Sequence, residues 1–203
     1  HAGNDGSAIA WGRQLGARLA DLGGYQGHGA WAVPQGALIT WALMMEGGIQ
    51  VNAAGRRFHD ETGGYSEASV QVLAQPGGTA WTLFDSRLLA LGRTFPDFVA
   101  AEAAGAVRHA DAPQALAALI GCDAATLCAT LAGTRLVAPY CAIRVTGALF
   151  HTQGGLDIDA QCRVLRNHGT ALPNLLAAGG AARGVSGNAV WGYLSGNGLL
   201  SAV

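Results

Sequence analysis

The stretch Leu149–Leu165, "LFHTQGGLDIDAQCRVL", decides how the rest of the chain is read. A histidine precedes a Gly pair, and a short alternating segment, a turn, a second segment and then "LPNLLAAGGAARGVSG" (172–187) follow. The alternation of "GGLDID" and "CRVL" predicts a hairpin around "AQ", and "NLLAAGG" reads as an apolar strand entering a Gly-rich loop. Upstream, "YCAIRVTGALF" (140–150) alternates well enough for a strand that delivers His151 to the Gly pair.

Working outward, residues 5–18 place Ile9, Leu15 and several alanines on one helical face, with Asp5 or Ser7 able to cap its start. "LADLGGYQGH" (19–28) predicts a short strand, and "NAAGRR" (52–57) a tight turn joining two strands. Residues 65–74 have a helical pattern, and "TAWTLFD" (79–85) reads as a buried strand. Residues 86–132 predict several short helices, with Pro96 and Pro113 near helix starts. "SGNGLL" (195–200) predicts a further helix start.

Composition narrows the chemistry. The chain has 203 residues, a formal net charge of -1 and 12% charged residues, with no basic patch of the kind a nucleic acid or membrane surface selects. Every basic residue is arginine, so neither a Schiff-base lysine nor a P-loop lysine is available in this sequence. Cys122, Cys128, Cys141 and Cys162 lack zinc-ligand spacing, which points to reduced thiols. No apolar run approaches the ~18 residues a membrane span needs, so a cytoplasmic protein is expected. The 31 glycines are about twice the usual share of ~7% and occur in bunches, the pattern of turns and of backbone approached closely.

The run "VTGALFHTQGGLDIDAQCRVL…LPNLLAAGGAARGVSG…SGNGLLSA", with "GNDGSAIAWGRQLGARL…YQGH" and "GGIQVNAAGRRFHDE" before it, resembles flavoproteins of the fumarate reductase and succinate dehydrogenase type. The resemblance implies an α+β chain: the capping domain of a fumarate reductase-like flavoprotein (36–145) with flanking pieces of a Rossmann-like FAD-binding domain (1–35 and 146–203). It implies FAD as cofactor, a small-molecule substrate and an electron partner the sequence does not identify. No GxGxxG after a strand occurs, so the ADP half of FAD has no evident seat, and the chain is expected to be a piece lacking the N-terminal FAD-binding part.

By the same resemblance, His28 and His151 face the substrate, Gly154 and Gly155 let the backbone run close to the flavin, and Gly179 and Gly180 end a strand at the cofactor. Gly180 stands where the family has a glutamate. Ser195, Gly196, Asn197 and Leu199 would begin a helix pointing its amides at the flavin. Departures from the family pattern say more about the substrate. Where fumarate reductases carry the charged groups of a proton relay, this chain has Trp41, Met44 and Tyr65, and the segment of the substrate-gripping arginine contains Trp191 and Tyr193.

A dicarboxylate buried without cationic partners costs several kcal/mol, so fumarate is not expected. Trp41, Met44, Trp191 and Tyr193 imply an apolar, aromatic pocket for a larger neutral or monoacidic substrate, with Arg183 as a possible anion partner. Tyr65 becomes the candidate acid or base, as in ketosteroid dehydrogenases of the same superfamily. The expected activity is therefore FAD-dependent hydrogen transfer across a carbon-carbon bond beside a carbonyl. The alternative is a non-catalytic binding or regulatory module derived from a flavoprotein cap.

Overall fold

The structure is a computed structural model and describes residues 4–190. The chain divides into two compact units, residues 27–148 and residues 1–26 with 149–203. Among the described residues no helix is long and apolar enough to cross a membrane.

The first helix, α1 (Ser7–Gln14), starts where the sequence places it, with the Ser7 amide donating to the Asp5 carboxylate at 2.9 Å. "LADLGGYQGH" is two strands rather than one, β1 (Leu19–Ala20) and β2 (Tyr25–Ala32), separated by the turn in which the Gly24 amide donates to Asp21 O. Then come β3 (Ala37–Leu38), α2 (Ala42–Met45) and β4 (Ile49–Val51). The Asn52 turn forms, its side-chain oxygen accepting from the amides of Ala54 and Arg56. A second hairpin strand does not follow: only the bridge between Val51 and Arg57 forms, and the chain turns into a 3-10 segment at Glu61–Gly63.

Helix α3 (Tyr65–Leu73) leads to β5 (Thr79–Asp85), which the sequence reads correctly as buried. Helices α4 (Ser86–Gly92), α5 (Pro96–Ala103), α6 (Pro113–Ile120) and α7 (Ala124–Ala132) follow, with β6 (Arg108–Ala110) between α5 and α6. Pro96 and Pro113 occupy first-turn positions, where a missing N–H costs nothing. Asp85 and Asp123 cap α4 and α7 by accepting from the amides of Leu88 and Thr126.

Strand β7 (Tyr140–Thr152) is the spine of the sheet in the 27–148 unit, whose order is β3-β2-β7-β5-β4 with β6 also paired to β7. The register of β5 on β7 runs antiparallel from Thr79 opposite Thr146 to Asp85 opposite Tyr140. Phe84, Ile143, Leu83, Leu88, Phe98, Leu116 and Leu127 fill its core, each with essentially no exposure.

In the other unit, β8 (Gly155–Leu156) pairs with β1, and β9 (Arg163–Leu165) pairs with β10 (Ala171–Leu176), both antiparallel. The turn between β8 and β9 is closed by the Cys162 amide on Asp159 O, as the "AQ" hairpin predicts. Strand β10 is not buried throughout. Leu176 is 66% exposed, and Asn174 takes a positive φ of 60° that breaks the register with β9. The one parallel feature among the described residues is the bridge between Leu156 and Ala182. The architecture is α+β.

Candidate active site

In the 27–148 unit, three of the sequence-selected side chains come together. His28 projects from β2, Trp41 stands at the N-terminal end of α2, and Tyr65 opens α3. The His28 and Tyr65 rings stack with centroids 5.1 Å apart and planes 23° apart, while Trp41 meets His28 edge to face at 5.7 Å and 89°. This arrangement depends on the glycines beside His28. A Cβ on Gly27 would fall 1.9 Å from Ser69 Oγ, and one on Gly29 would fall 2.8 Å from the Ala68 carbonyl carbon. Helix α3 thus lies directly on β2, presenting Ser66, Ala68 and Ser69 to it, and the Ser66 hydroxyl accepts from the Gly27 amide at 2.9 Å. The small residues of "SEASV" and the glycines of "GHG" are complementary halves of one contact.

Burial lowers the pKa of His28 from 6.5 to about 4, so the ring is neutral at neutral pH. Its Nδ1 accepts from the Ala30 amide at 3.1 Å. A neutral imidazole that accepts at Nδ1 carries its proton on Nε2, so His28 is an Nε2–H donor. Trp41 is buried, and its indole N–H has no hydrogen-bond partner among the described residues. Leaving such a donor unmade costs about 1–3 kcal/mol.

Met44 is buried at 2% exposure on the same helix as Trp41, but it lines a cavity of about 510 Å³ with Gly48, Arg57, Glu61, Arg87 and Arg135. That cavity is polar, and two of its cations are engaged: Arg57 binds both oxygens of Glu61, and Arg87 donates to the Glu46 carbonyl at 2.7 Å. Beneath it runs a buried network that sequence reading misses. Gln50, fully buried, donates to Gly29 O and to Thr82 Oγ1, contacts His59 at 2.9 Å, and gives its amide to Glu61 at 2.8 Å. Through Gly29 it braces the strand segment that carries His28. Its only sequence signal is a polar residue between Ile49 and Val51, which alternation assigns to solvent.

In the other unit, His151 is half-buried on β7. The Gly pair after it is needed for chain packing. A Cβ on Gly154 would meet Leu22 Cα at 2.5 Å, and one on Gly155 would meet the Ala182 carbonyl carbon at 2.3 Å. On the side where a Cβ would stand, both glycines are in contact with the chain's own backbone. Gly180, in the 3-10 turn Gly179–Ala181, is exposed and has nothing within 4 Å of its Cβ position, so its backbone is open on that side.

Arg183, expected as an anion partner for substrate, instead pairs with Asp21 at 2.8 Å and Asp157 at 3.2 Å, and Asp157 foremost raises its pKa. Asp157, 5% exposed, also pairs with Arg18 at 2.5 Å. A substrate carboxylate would have to compete with two carboxylates already in place. Trp191, Tyr193, Ser195, Gly196, Asn197 and Leu199 lie outside the described residues.

Known proteins resemble the chain over most of its length. The family model "FAD binding domain" matches residues 1–199. The NADH:fumarate oxidoreductase of Klebsiella pneumoniae is 29% identical over 92% of this chain and 22% of its own length, so the chain spans about a fifth of that relative. An open conformation of a flavocytochrome c3 fumarate reductase superposes with a TM-score of 0.73 at 24% identity, covering 97% of this chain and 37% of that one. A 3-ketosteroid-delta4-(5alpha)-dehydrogenase from Rhodococcus jostii RHA1 gives 0.67 at 23%, covering 97% and 43%.

The fold is that of the FAD-binding and capping region of fumarate reductase-like flavoproteins. One expectation is overturned. The sequence suggests a piece lacking the N-terminal FAD-binding part, whereas the FAD-binding match runs over nearly the whole chain. GxGxxG is a local signature, and its absence from these residues does not limit the extent of the family match.

Proposed function

The chain belongs to the FAD-binding domain family, and on that premise we propose that it serves an FAD-dependent oxidoreductase that adds or removes hydrogen across a carbon-carbon bond beside a carbonyl. The substrate is largely apolar or monoacidic, and is not fumarate. The observation that carries this reading is the cluster of His28, Trp41 and Tyr65, in which a neutral donor stacks on a phenol. Neutral donors stabilise partial charge on a carbonyl oxygen, whereas a buried dicarboxylate calls for guanidinium partners.

When bound, FAD supplies hydride exchange with the substrate carbon. The chain's own groups do the rest. His28 donates from Nε2 to the carbonyl oxygen and stabilises enolate-like charge. His151, in the other unit, is a further candidate donor. The Tyr65 hydroxyl gives or takes the proton on the neighbouring carbon, a role worth ~10²- to 10⁴-fold in rate. Gly180, at the end of β10, offers the backbone surface for the cofactor, with Gly179, Gly154 and Gly155 shaping the chain around it.

The test is a steady-state assay of the protein with FAD and reduced methyl viologen as the electron donor, supplied in parallel with fumarate and with a series of neutral enones. Turnover of an enone is expected, and Tyr65→Phe should lower kcat ~10²- to 10⁴-fold while leaving KM nearly unchanged. Fumarate turnover at ordinary enzyme rates, ~1 to 10³ per second, refutes the substrate assignment. FAD binding without turnover of either class favours a non-catalytic module.

A further inference from the structure

Among the described residues, a buried donor of the 27–148 unit is left without a partner, and it stands beside the proposed carbonyl-binding histidine. Trp41 is 8% exposed and packs in the main core, yet its indole N–H has no acceptor among the described residues. Core tryptophans ordinarily reach one, because a buried N–H loses its water on folding. The local backbone does not require an indole: Trp41 is the N-cap of a short helix, makes no side-chain cap, and has ordinary helical φ and ψ of -69° and -12°. A phenyl ring would fill much of the same apolar space without an orphaned donor. What distinguishes the indole from a hydrocarbon at this place is therefore the N–H.

We infer that the Trp41 indole N–H is a second substrate-binding donor, acting with His28 to select an uncharged acceptor oxygen such as a ketone or amide carbonyl. This inference rests on the reading of the cluster as a carbonyl site and adds to it the chemical class that is selected. Both donors are neutral, and neither supplies the charge needed to hold a carboxylate out of water. His28 stacks on Tyr65 and meets Trp41 in a T-shaped contact, so the two donors belong to one aromatic cluster. An apolar wall with an orphaned N–H discriminates sharply, because a ligand lacking the oxygen leaves the Trp41 donor unpaired.

The experiment follows indole N–H resonances of the ¹⁵N-labelled protein during titration with cyclohex-2-enone, with cyclohexene as the oxygen-free control. Trp41→Phe assigns the Trp41 signal by its disappearance. The expected result is a downfield shift of that resonance with the enone and none with cyclohexene. Trp41→Phe should weaken enone binding about tenfold and leave cyclohexene binding unchanged. A Trp41 resonance unmoved up to the solubility limit of the enone overturns the inference. So does an equal loss of affinity for both ligands, which marks a packing role.

The wild-type titration decides the matter even if the variant folds poorly. Failure here is also distinct from failure of the proposed function. Enone turnover that depends on Tyr65 with an unmoved Trp41 signal keeps the reaction and removes this donor, while a moved signal without turnover does the reverse.

Discussion

The two units solve the problem of holding a site in opposite ways. The 27–148 unit is built around apolar volume: a sheet covered by short helices, with Phe84, Phe98, Leu83 and Ile143 sealed from solvent. The unit of residues 1–26 and 149–203 has only a small apolar cluster among its described residues, centred on Leu156, Val164 and Leu172. Backbone laid on glycine and the carboxylates of Asp21 and Asp157 shared between Arg18 and Arg183 do more of its work. A neutral histidine and an indole without a partner among the described residues sit in the dry core of the first unit, whereas the second, sparser in side chains, leaves backbone such as that of Gly180 open.

The sharpest way to break this comparison is to add a side chain where the second unit has none. Gly155→Val places atoms inside the Ala182 peptide, 2.3 Å from its carbonyl carbon, and should cost on the order of 3 kcal/mol or more. Hydrogen exchange should show lost protection at Leu156 and Arg183 with β5 amides unaffected. Equal loss in both units would contradict separate modes of stabilisation.

Next in size is acid. Folded His28 titrates at about 4 and the unfolded chain near 6.5, so between those values the unfolded state binds a proton that the folded state refuses. Stability is complete above pH 6.5, falls as pH drops toward 4, and loses about 3 kcal/mol across that window. His59, whose pKa is also lowered by burial, adds to the fall in the same direction. Urea denaturation from pH 7.5 to 4 should show the slope, and His28→Asn should flatten most of it; an unchanged slope removes the neutral donor.

Smaller again is Asp157→Asn. It weakens the ion pairs to Arg18 and Arg183, and partial exposure of both arginines limits the loss to about 1–2 kcal/mol, readable as a lower urea midpoint. The smallest change expected is Gly180→Ala, where the new methyl meets nothing within 4 Å and stability should stay within about 0.5 kcal/mol. Its sharper readout is FAD affinity, which should fall if the flavoprotein uses that open side.

What was legible in the sequence follows the same division. Strand β5 and the helices opened by Pro96 and Pro113 were readable because burial and a missing N–H leave local marks. Strand β6 was not: its residues Arg108 and His109 are exposed, and it exists because β7 offers them an edge. Gln50 was hidden for a related reason, since its partners Gly29, Thr82, and the pair His59 and Glu61 come from three separate segments. His28 and Tyr65 were reachable through a family resemblance, but the proton on Nε2 depends on the Ala30 amide and could be found only in three dimensions. The glycine bunches predicted close approach correctly, yet at positions 27, 29, 154 and 155 the approaching group is the chain itself.

The seating of α3 on Gly27 and Gly29 ties the tyrosine ring to the histidine strand through the girth of Ser66, Ala68 and Ser69. The spacing between the two rings is therefore adjustable from the back of the helix. An engineer seeking to admit a bulkier ligand would thicken that seam, for instance by Ala68→Val, and leave every pocket-facing side chain as it is.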